Sequence, residues 1–239
     1  MRSPLRLFPL NAVLFPGAVL NLHVFEERYK QLIDECIEAG EGFGVVLIRE
    51  GQEAGDPGVE PHQVGSLAEI VEVTQLPFGR FYISTVGRER FRITKILSRE
   101  PYLTAETEPL GEDDVDEDSL ESLTEDVRGA FLEYLELIVA FSGAESNVDL
   151  PADPQSASYI VGDALQVADS MKQRLLELHS TKQRLTVELS FLRRLLPQLR
   201  KLLERREREL EARRERGDDD DESYRGDQEK FFGKYFSAN

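Results

Sequence analysis

From Leu5 to Leu110 hydrophobic and polar residues alternate in short runs, whereas from Leu120 onward they recur every three or four positions. The first pattern is that of strands with one buried face, the second that of helices. Leu5 and Leu7 flank Arg6, and Leu20, Leu22 and Val24 line one face of a second run, so residues 5–24 read as two strands. Phe15-Pro16-Gly17 between them predicts a type II turn, because proline pre-sets φ at one central position and glycine accepts positive φ at the next. In EERYKQLIDECIEAG (26–40), Tyr29, Leu32, Ile33, Cys36 and Ile37 form one helical stripe. Glu26 and Glu27 suit the positive end of that helix, and Gly40 suits its stop.

FGVVLIRE (43–50) predicts a buried strand and GQEAGDPGVEPHQ (51–63) a loop. Residues 64–110 read as a meander: VGSLAEIVEVTQL, a turn at Pro77-Phe78-Gly79, RFYISTV, a break at Gly87, RFRITKIL, then PYLTAETEPL. Six or so short strands and one helix make a small twisted barrel or pair of sheets. GEDDVDED (111–118) is a self-repelling linker. Beyond it Leu120, Leu123, Val127, Phe131, Tyr134, Leu135 and Ile138 give a helix, and QSASYIVGDALQV (155–167) a short one. Ser170 with Gln173 and Ser180 with Gln183 have capping-box spacing and predict two further helix starts. In the last helix Leu185, Leu189, Leu192, Leu196, Leu199, Leu203 and Leu210 keep a 4-3 spacing, broken where Arg206 takes a seam position. Pro197 inside this run predicts a kink. The expected fold class is therefore α+β: a β pseudo-barrel over 1–110, a helical bundle over 119–216 with a long last helix, and an acidic, aromatic tail over 217–239.

Composition narrows the functions open to such a chain. The 239 residues carry a net charge of −17, which argues against nucleic acid as the main partner, since phosphate binding relies on Lys and Arg. In RKLLERRERELEARRER (200–216), pairs such as Glu204–Arg208 and Glu209–Arg213 have helix-face ion-pair spacing, so this basic stretch reads as a salt-bridged solvated helix. Cys36 is the only cysteine, so no intramolecular disulfide forms and a reducing compartment fits. The start MRSPLRLFPL lacks a signal-peptide core, and no run nears the ~18 apolar residues of a membrane span. The expectation is a soluble cytoplasmic protein that makes no membrane contact.

Candidate chemistry is sparse. His23, His62 and His179 lie far apart in sequence without ligand spacing, and one cysteine excludes a Cys-rich zinc site. Cys36 sits on the helical stripe, which predicts burial rather than nucleophilicity. Phosphate loops, dinucleotide fingerprints and nucleophile elbows are missing from the sequence. No catalytic residue, cofactor or metal is expected. Two features read as interaction surfaces. Phe78 at a hairpin tip either folds back onto the barrel or grips a ligand. Phe231, Phe232, Tyr235 and Phe236 in the tail KFFGKYFSAN are either a clip on their own protein or a docking peptide.

LFPLNAVLFPGAVLNLHVFEERY (7–29) resembles the entry motif of the N-terminal substrate-binding domain of Lon-type ATP-dependent proteases, with Pro9, Pro16, Gly17, Phe25, Glu26, Arg28 and Tyr29 carrying the match. FGVVLIRE and VGSLAEIVEVTQLPFGRFYISTVGRERFRI (64–93) continue it, and SYIVGDALQVADSMKQRLLELHSTKQRLTVEL (158–189) extends it more weakly. The resemblance implies a PUA-like pseudo-barrel followed by helices, and a role in holding unfolded or damaged protein segments for a separate ATPase or protease. No P-loop stands in the chain, so proteolysis is not carried over with the resemblance. The expected polypeptide-binding residues are Phe15, Pro16, Leu76, Pro77 and Phe78. The alternative is a scaffold or homo-oligomer formed through residues 185–210.

Overall fold

The alternating half of the chain closes on itself because one strand is long enough to serve three neighbours. A computed structural model describes residues 4–51, 58–113, 117–142 and 149–216. Its strands are β1 (Leu5–Leu10), β2 (Val19–Val24), β3 (Phe43–Glu50), β4 (Glu60–Leu76), β5 (Arg80–Ser98) and β6 (Leu103–Pro109). They are hydrogen-bonded in the order β2-β5-β4-β3-β1-β6, and β5 also pairs with β6, which closes a ring. β1 and β3 are parallel; the other pairs are antiparallel. β2 hangs on the first half of β5, with Val19 opposite Val86 and Val24 opposite Phe81. The helices are α1 (Glu27–Ala39), α2 (Glu117–Ser142), α3 (Pro154–Ala164), α4 (Asp169–Glu177) and α5 (Thr181–Arg216).

The Phe15-Pro16-Gly17 corner has the predicted geometry: Gly17 lies at φ +84°, and the Ala18 amide donates to the Phe15 carbonyl at 3.1 Å. Gly87 does not interrupt its strand. β5 runs through it beside a bulge, and Gly87 receives the corner: Gly17 N–H donates to Gly87 O at 2.8 Å, and Gly87 N–H donates to Ala18 O at 2.9 Å. A Cβ on Gly87 would stand 2.2 Å from the Phe15 carbonyl oxygen, so glycine is required here by proximity. The core beneath gathers Phe8, Tyr29, Leu32, Ile33, Cys36 and Phe43, with Tyr29 stacked on Phe8 at 4.0 Å between ring centres. α1 stops as predicted, with Gly40 left-handed at φ +64° and the Glu41 amide bonded to Cys36 O at 3.0 Å.

The chain divides into two compact units. Unit 1 is Met1–Asp113 with Gly162–Leu165 and Asp169–His179, so α4 groups with the sheet and not, as the sequence pattern had it, with the later helices. Arg90 explains this assignment. Only 3% exposed, it donates to Leu176 O at 2.7 Å, Leu178 O at 2.5 Å and Gly111 O at 3.2 Å, and pairs with Glu112. Gln173 is also spent here: it is buried, and its amide donates to Val64 O at 3.0 Å. It makes no capping box with Ser170, which lies exposed inside α4. Ser180, by contrast, accepts the Gln183 amide at 3.1 Å, as a helix cap should.

In unit 2 α5 packs against α2, and the seam leucines Leu185, Leu189, Leu192, Leu196 and Leu199 are buried within this one chain. Beyond Leu199 the seam residues Leu203 and Leu210 are only half-buried, so most of the proposed oligomer surface is already covered. Arg206 breaks the leucine series because its guanidinium donates to Phe141 O near the end of α2. Arg205 pairs with Glu209 at 2.8 Å, whereas Arg208 turns to the Glu204 backbone oxygen; the Glu204–Arg208 side-chain pair is not made. α5 is continuous across Pro197. Of the expected 51–63 loop, Glu60–Gln63 instead begin β4, where Pro61 pairs with Ile48. Residues 52–57 and 114–116, the side chain of Arg213, and the tail aromatics Phe231, Phe232, Tyr235 and Phe236 lie outside the described residues.

Candidate functional site

The β4–β5 hairpin presents Phe78 at its tip, 88% exposed and at φ +65°. A bulky residue in the left-handed region costs about 1–2 kcal/mol. Gly79 follows in the same region, also at φ +65°. The tip is braced from below by two cations that donate to its carbonyls: Lys30 Nζ to Phe78 O at 3.0 Å, and Arg80 Nε to Pro77 O at 3.1 Å. Lys30 is itself fixed by Glu27 at 2.7 Å. Strain held in place by such bonds is characteristic of functional loops.

Beneath Phe78 lies an open concavity of about 980 Å³, walled by the solvent face of α1 and by Gln75, Leu76 and Phe81. The helix turns Tyr29, Leu32, Ile33 and Cys36 inward, which leaves Glu27, Asp34, Glu35 and Glu38 on the concave side together with Arg28 and Lys30. Asp34 and Glu38 make no ion pair among the described residues. Glu35 does: it accepts from Tyr102 and Gln31 and pairs with Arg6, and the Tyr102 hydroxyl and Gln31 amide hold its carboxyl below the ordinary range against the opposing effect of burial. The α1 wall therefore carries more acids than cations, and Leu76, Phe78 and Phe81 supply apolar surface opposite.

Other expected contact residues fall elsewhere. Phe15 is fully buried, so its ring fills the core and is unavailable to a ligand; its backbone sets the Gly87 corner. Pro16 is half-buried at that corner, Leu76 half-buried and Pro77 exposed at the hairpin end. Pro9 is buried in β1 opposite Val46. In the FE-x-RY segment Glu26 closes the start of α1, its carbonyl accepting the Tyr29 and Lys30 amides, while Arg28 pairs with Glu26 at 3.0 Å and lies over the Tyr29 ring. Phe25 of the same segment is 55% exposed.

The histidines are not dispersed as their spacing suggested. His62 and His179 line one concavity with Arg49, Arg92 and Glu177; Arg92 lies 2.7 Å from His179 Nε2, and His62 3.4 Å from Glu177. Sequence spacing could not show this, because α4 folds back onto β4 from over a hundred positions away. Among the described residues no group of three His, Cys, Asp or Glu side chains could hold a metal ion. Cys36 is buried, and that burial pushes its thiol up to about 11 against a lesser opposing influence of Arg6, so it makes a poor nucleophile. Among the described residues no helix is long and apolar enough to cross a membrane.

A closed six-stranded sheet joined to helices, with a strained aromatic over an open concavity, defines an α+β domain. Comparison with known proteins agrees: residues 4–194 match the family model of the ATP-dependent protease La (LON) substrate-binding domain, and the chain belongs to that family. Lon protease 2 of Syntrophobacter fumaroxidans is 31% identical over 182 residues, covering 74% of this chain and 23% of that protein. The Lon protease of Anaeromyxobacter dehalogenans is 28% identical over 194 residues, covering 80% and 23%. The chain thus spans about a quarter of the length of these relatives. Among solved structures, a Lon N-terminal domain protein from Xanthomonas campestris superposes with a TM-score of 0.58 at 25% identity, covering 79% of this chain and 98% of that one. The N-terminal domain of Mycobacterium avium complex Lon protease, at 18% identity and a TM-score of 0.59, shows the same fold.

Proposed function

We propose that this chain is a non-catalytic module that holds exposed apolar segments of unfolded or damaged polypeptides, as an adaptor or chaperone-like partner of an ATP-dependent protease in the cytoplasm. The observation that carries the reading is Phe78, an aromatic kept in solvent at positive φ by Lys30 and Arg80. A surface phenylalanine with only a structural role has no reason to bear that strain. Family membership supports the same reading, since the family is described by substrate binding.

The test is Phe78→Gly. Glycine takes the left-handed conformation freely, so the variant gains about 1 kcal/mol of stability. It also loses the aromatic contact, and affinity for a denatured client falls at least tenfold. Binding is read by fluorescence anisotropy of a labelled, permanently unfolded client, and stability by denaturant titration. Unchanged client affinity would overturn the assignment of Phe78. A chain that neither binds such clients nor delays their aggregation would overturn the function.

A further inference from the structure

We propose that β2 is a docking edge to which a client polypeptide adds as an extended strand; the proposal rests on the polypeptide-binding reading and specifies how that binding is made. Among the described residues β2 pairs only with β5, so its other side is a free edge. The register settles which groups face outward. Gly87 N–H donates to Ala18 O, which makes Ala18 and Gly87 a hydrogen-bonded pair. By the alternation of antiparallel ladders, Leu20, Leu22 and Val24 bond to β5, while Val19, Asn21 and His23 direct their N–H and C=O groups away from it.

Free edges are usually blunted by charge, proline, a bulge or a covering loop. β2 reads VLNLHV, with no lysine, acid or proline, and pairs with β5 without a register shift. Val19 is 65% exposed, and His23 stacks on Tyr82 at 4.7 Å in a line that continues to Phe25. At the end of this strand a concavity of about 320 Å³ is lined by Phe8, Leu10, Leu22, Val24, Phe25 and Tyr29. A strand laid along β2 sends every second side chain toward that apolar pocket and the others over His23 and Tyr82.

The chemistry selects the occupant. Alternating outward amides and carbonyls are matched by another extended backbone. Among the described residues the charged side chain lining the pocket is Glu26, paired with Arg28, and the neighbouring concavity is lined by four acids (Glu27, Asp34, Glu35 and Glu38) against two cations (Arg28 and Lys30), so the surface favours apolar strands flanked by Lys or Arg over acidic ones. A six-residue edge is only about 20 Å long, too short for one strand's contact to bury the roughly 800 Å² per partner of a standard stable interface. That size suits a transient client better than a second copy of the chain.

The experiment uses the full chain and a synthetic peptide that alternates Val, Leu and Phe with Thr between terminal lysines. Two further peptides carry backbone N-methyl groups at alternate residues, one set on each edge. Methylation of the edge that meets β2 is expected to weaken binding at least tenfold, and methylation of the other edge to change it less than twofold. Bound peptide is expected to slow hydrogen exchange at Val19, Asn21 and His23. Equal binding by both methylated peptides, or protection confined to the Phe78 tip, overturns strand addition and leaves polypeptide binding standing; no binding by any peptide overturns both. Protection of those three amides in the chain alone, independent of concentration, would assign the edge to residues 217–239. Protection that rises with chain concentration would assign it to a second copy. Either result overturns the client as occupant.

Discussion

Gly87→Ala tests whether the Pro-Gly corner is held by its contact with β5. The added Cβ would stand 2.2 Å from Phe15 O, a distance that real contacts do not reach, and a tight 3.1 Å from Leu14 Cγ. Relief requires the corner to lift, and lifting breaks the two backbone hydrogen bonds between Gly87 and residues 17 and 18. Each bond contributes about 1 kcal/mol, and overpacking the fully buried Phe15 adds about 1–3 kcal/mol. Alanine's smaller backbone entropy in a strand returns about 0.5 kcal/mol. The net expectation is a loss of about 3–4 kcal/mol, or roughly 10 °C in Tm for a unit of this size. Gly79→Ala is the control: its Cβ would meet nothing within 4 Å, so only the cost of φ +65° applies, about 1 kcal/mol. Denaturant unfolding, followed by hydrogen exchange at the Gly17 and Gly87 amides, reads both. A Gly87→Ala loss no larger than that of Gly79→Ala would refute the proximity argument.

Three further outcomes are expected. Glu188 is fully buried in unit 2 with neither carboxylate oxygen hydrogen-bonded, and burial raises its carboxyl well above the ordinary range despite the opposing charge of Arg184. Because the folded-state value is raised, stability is highest at low pH and falls as pH climbs above the unfolded carboxylate range; Glu188→Gln removes this fall, which thermal melts of both proteins between pH 4 and 8 compare. Cys36, its thiol raised to about 11, is expected to resist iodoacetamide at pH 8 in the folded chain and to react fully in denaturant, as read by mass spectrometry. Tyr102→Phe removes the foremost group that lowers Glu35, so the Glu35 carboxyl titrates at higher pH in an NMR titration; the lost buried hydroxyl bond lowers stability by about 1 kcal/mol. Since the folded-state value of Glu35 is depressed, the stability it contributes is lost as pH falls through the carboxylate range, and less of it remains to lose in the variant.

Period and punctuation made much of the fold legible. Alternation and the apolar run of β3 located the strands, the stripe from Tyr29 to Ile37 identified the buried face of α1 except at Ile37, which is 45% exposed, and Gly17 and Gly40 marked positive-φ positions that the structure confirms. Gly87 was misread because a glycine inside a strand pattern signals either a break or a close approach, and the approaching backbone of Phe15 lies 72 positions away in sequence. The Ser170–Gln173 capping box failed for a similar reason: Gln173 is claimed by Val64, a partner invisible to local spacing. Of the candidate site, the turn at Phe78 left open whether its ring folds back or stands in solvent, and the same Pro-Gly signal beside Phe15 gave no sign of its burial. The free edge of β2 is a matter of strand order, which no local pattern carries.

Arg90 ties the order of synthesis to the completion of the barrel. Its buried guanidinium has carbonyl partners in Leu176 and Leu178, residues translated long after the six strands are made. At about 5–20 residues per second, the 88 positions between Arg90 and Leu178 separate donor from acceptor by roughly 4–18 s. During that interval a nascent chain holds all its strands, and Arg90 has Gly111 O and Glu112 available but not the Leu176 and Leu178 carbonyls that α4 brings. A ribosome-bound chain halted between residues 113 and 169 is therefore expected to be the form most easily cleaved by protease, and the arrival of α4 to be the step that seals it.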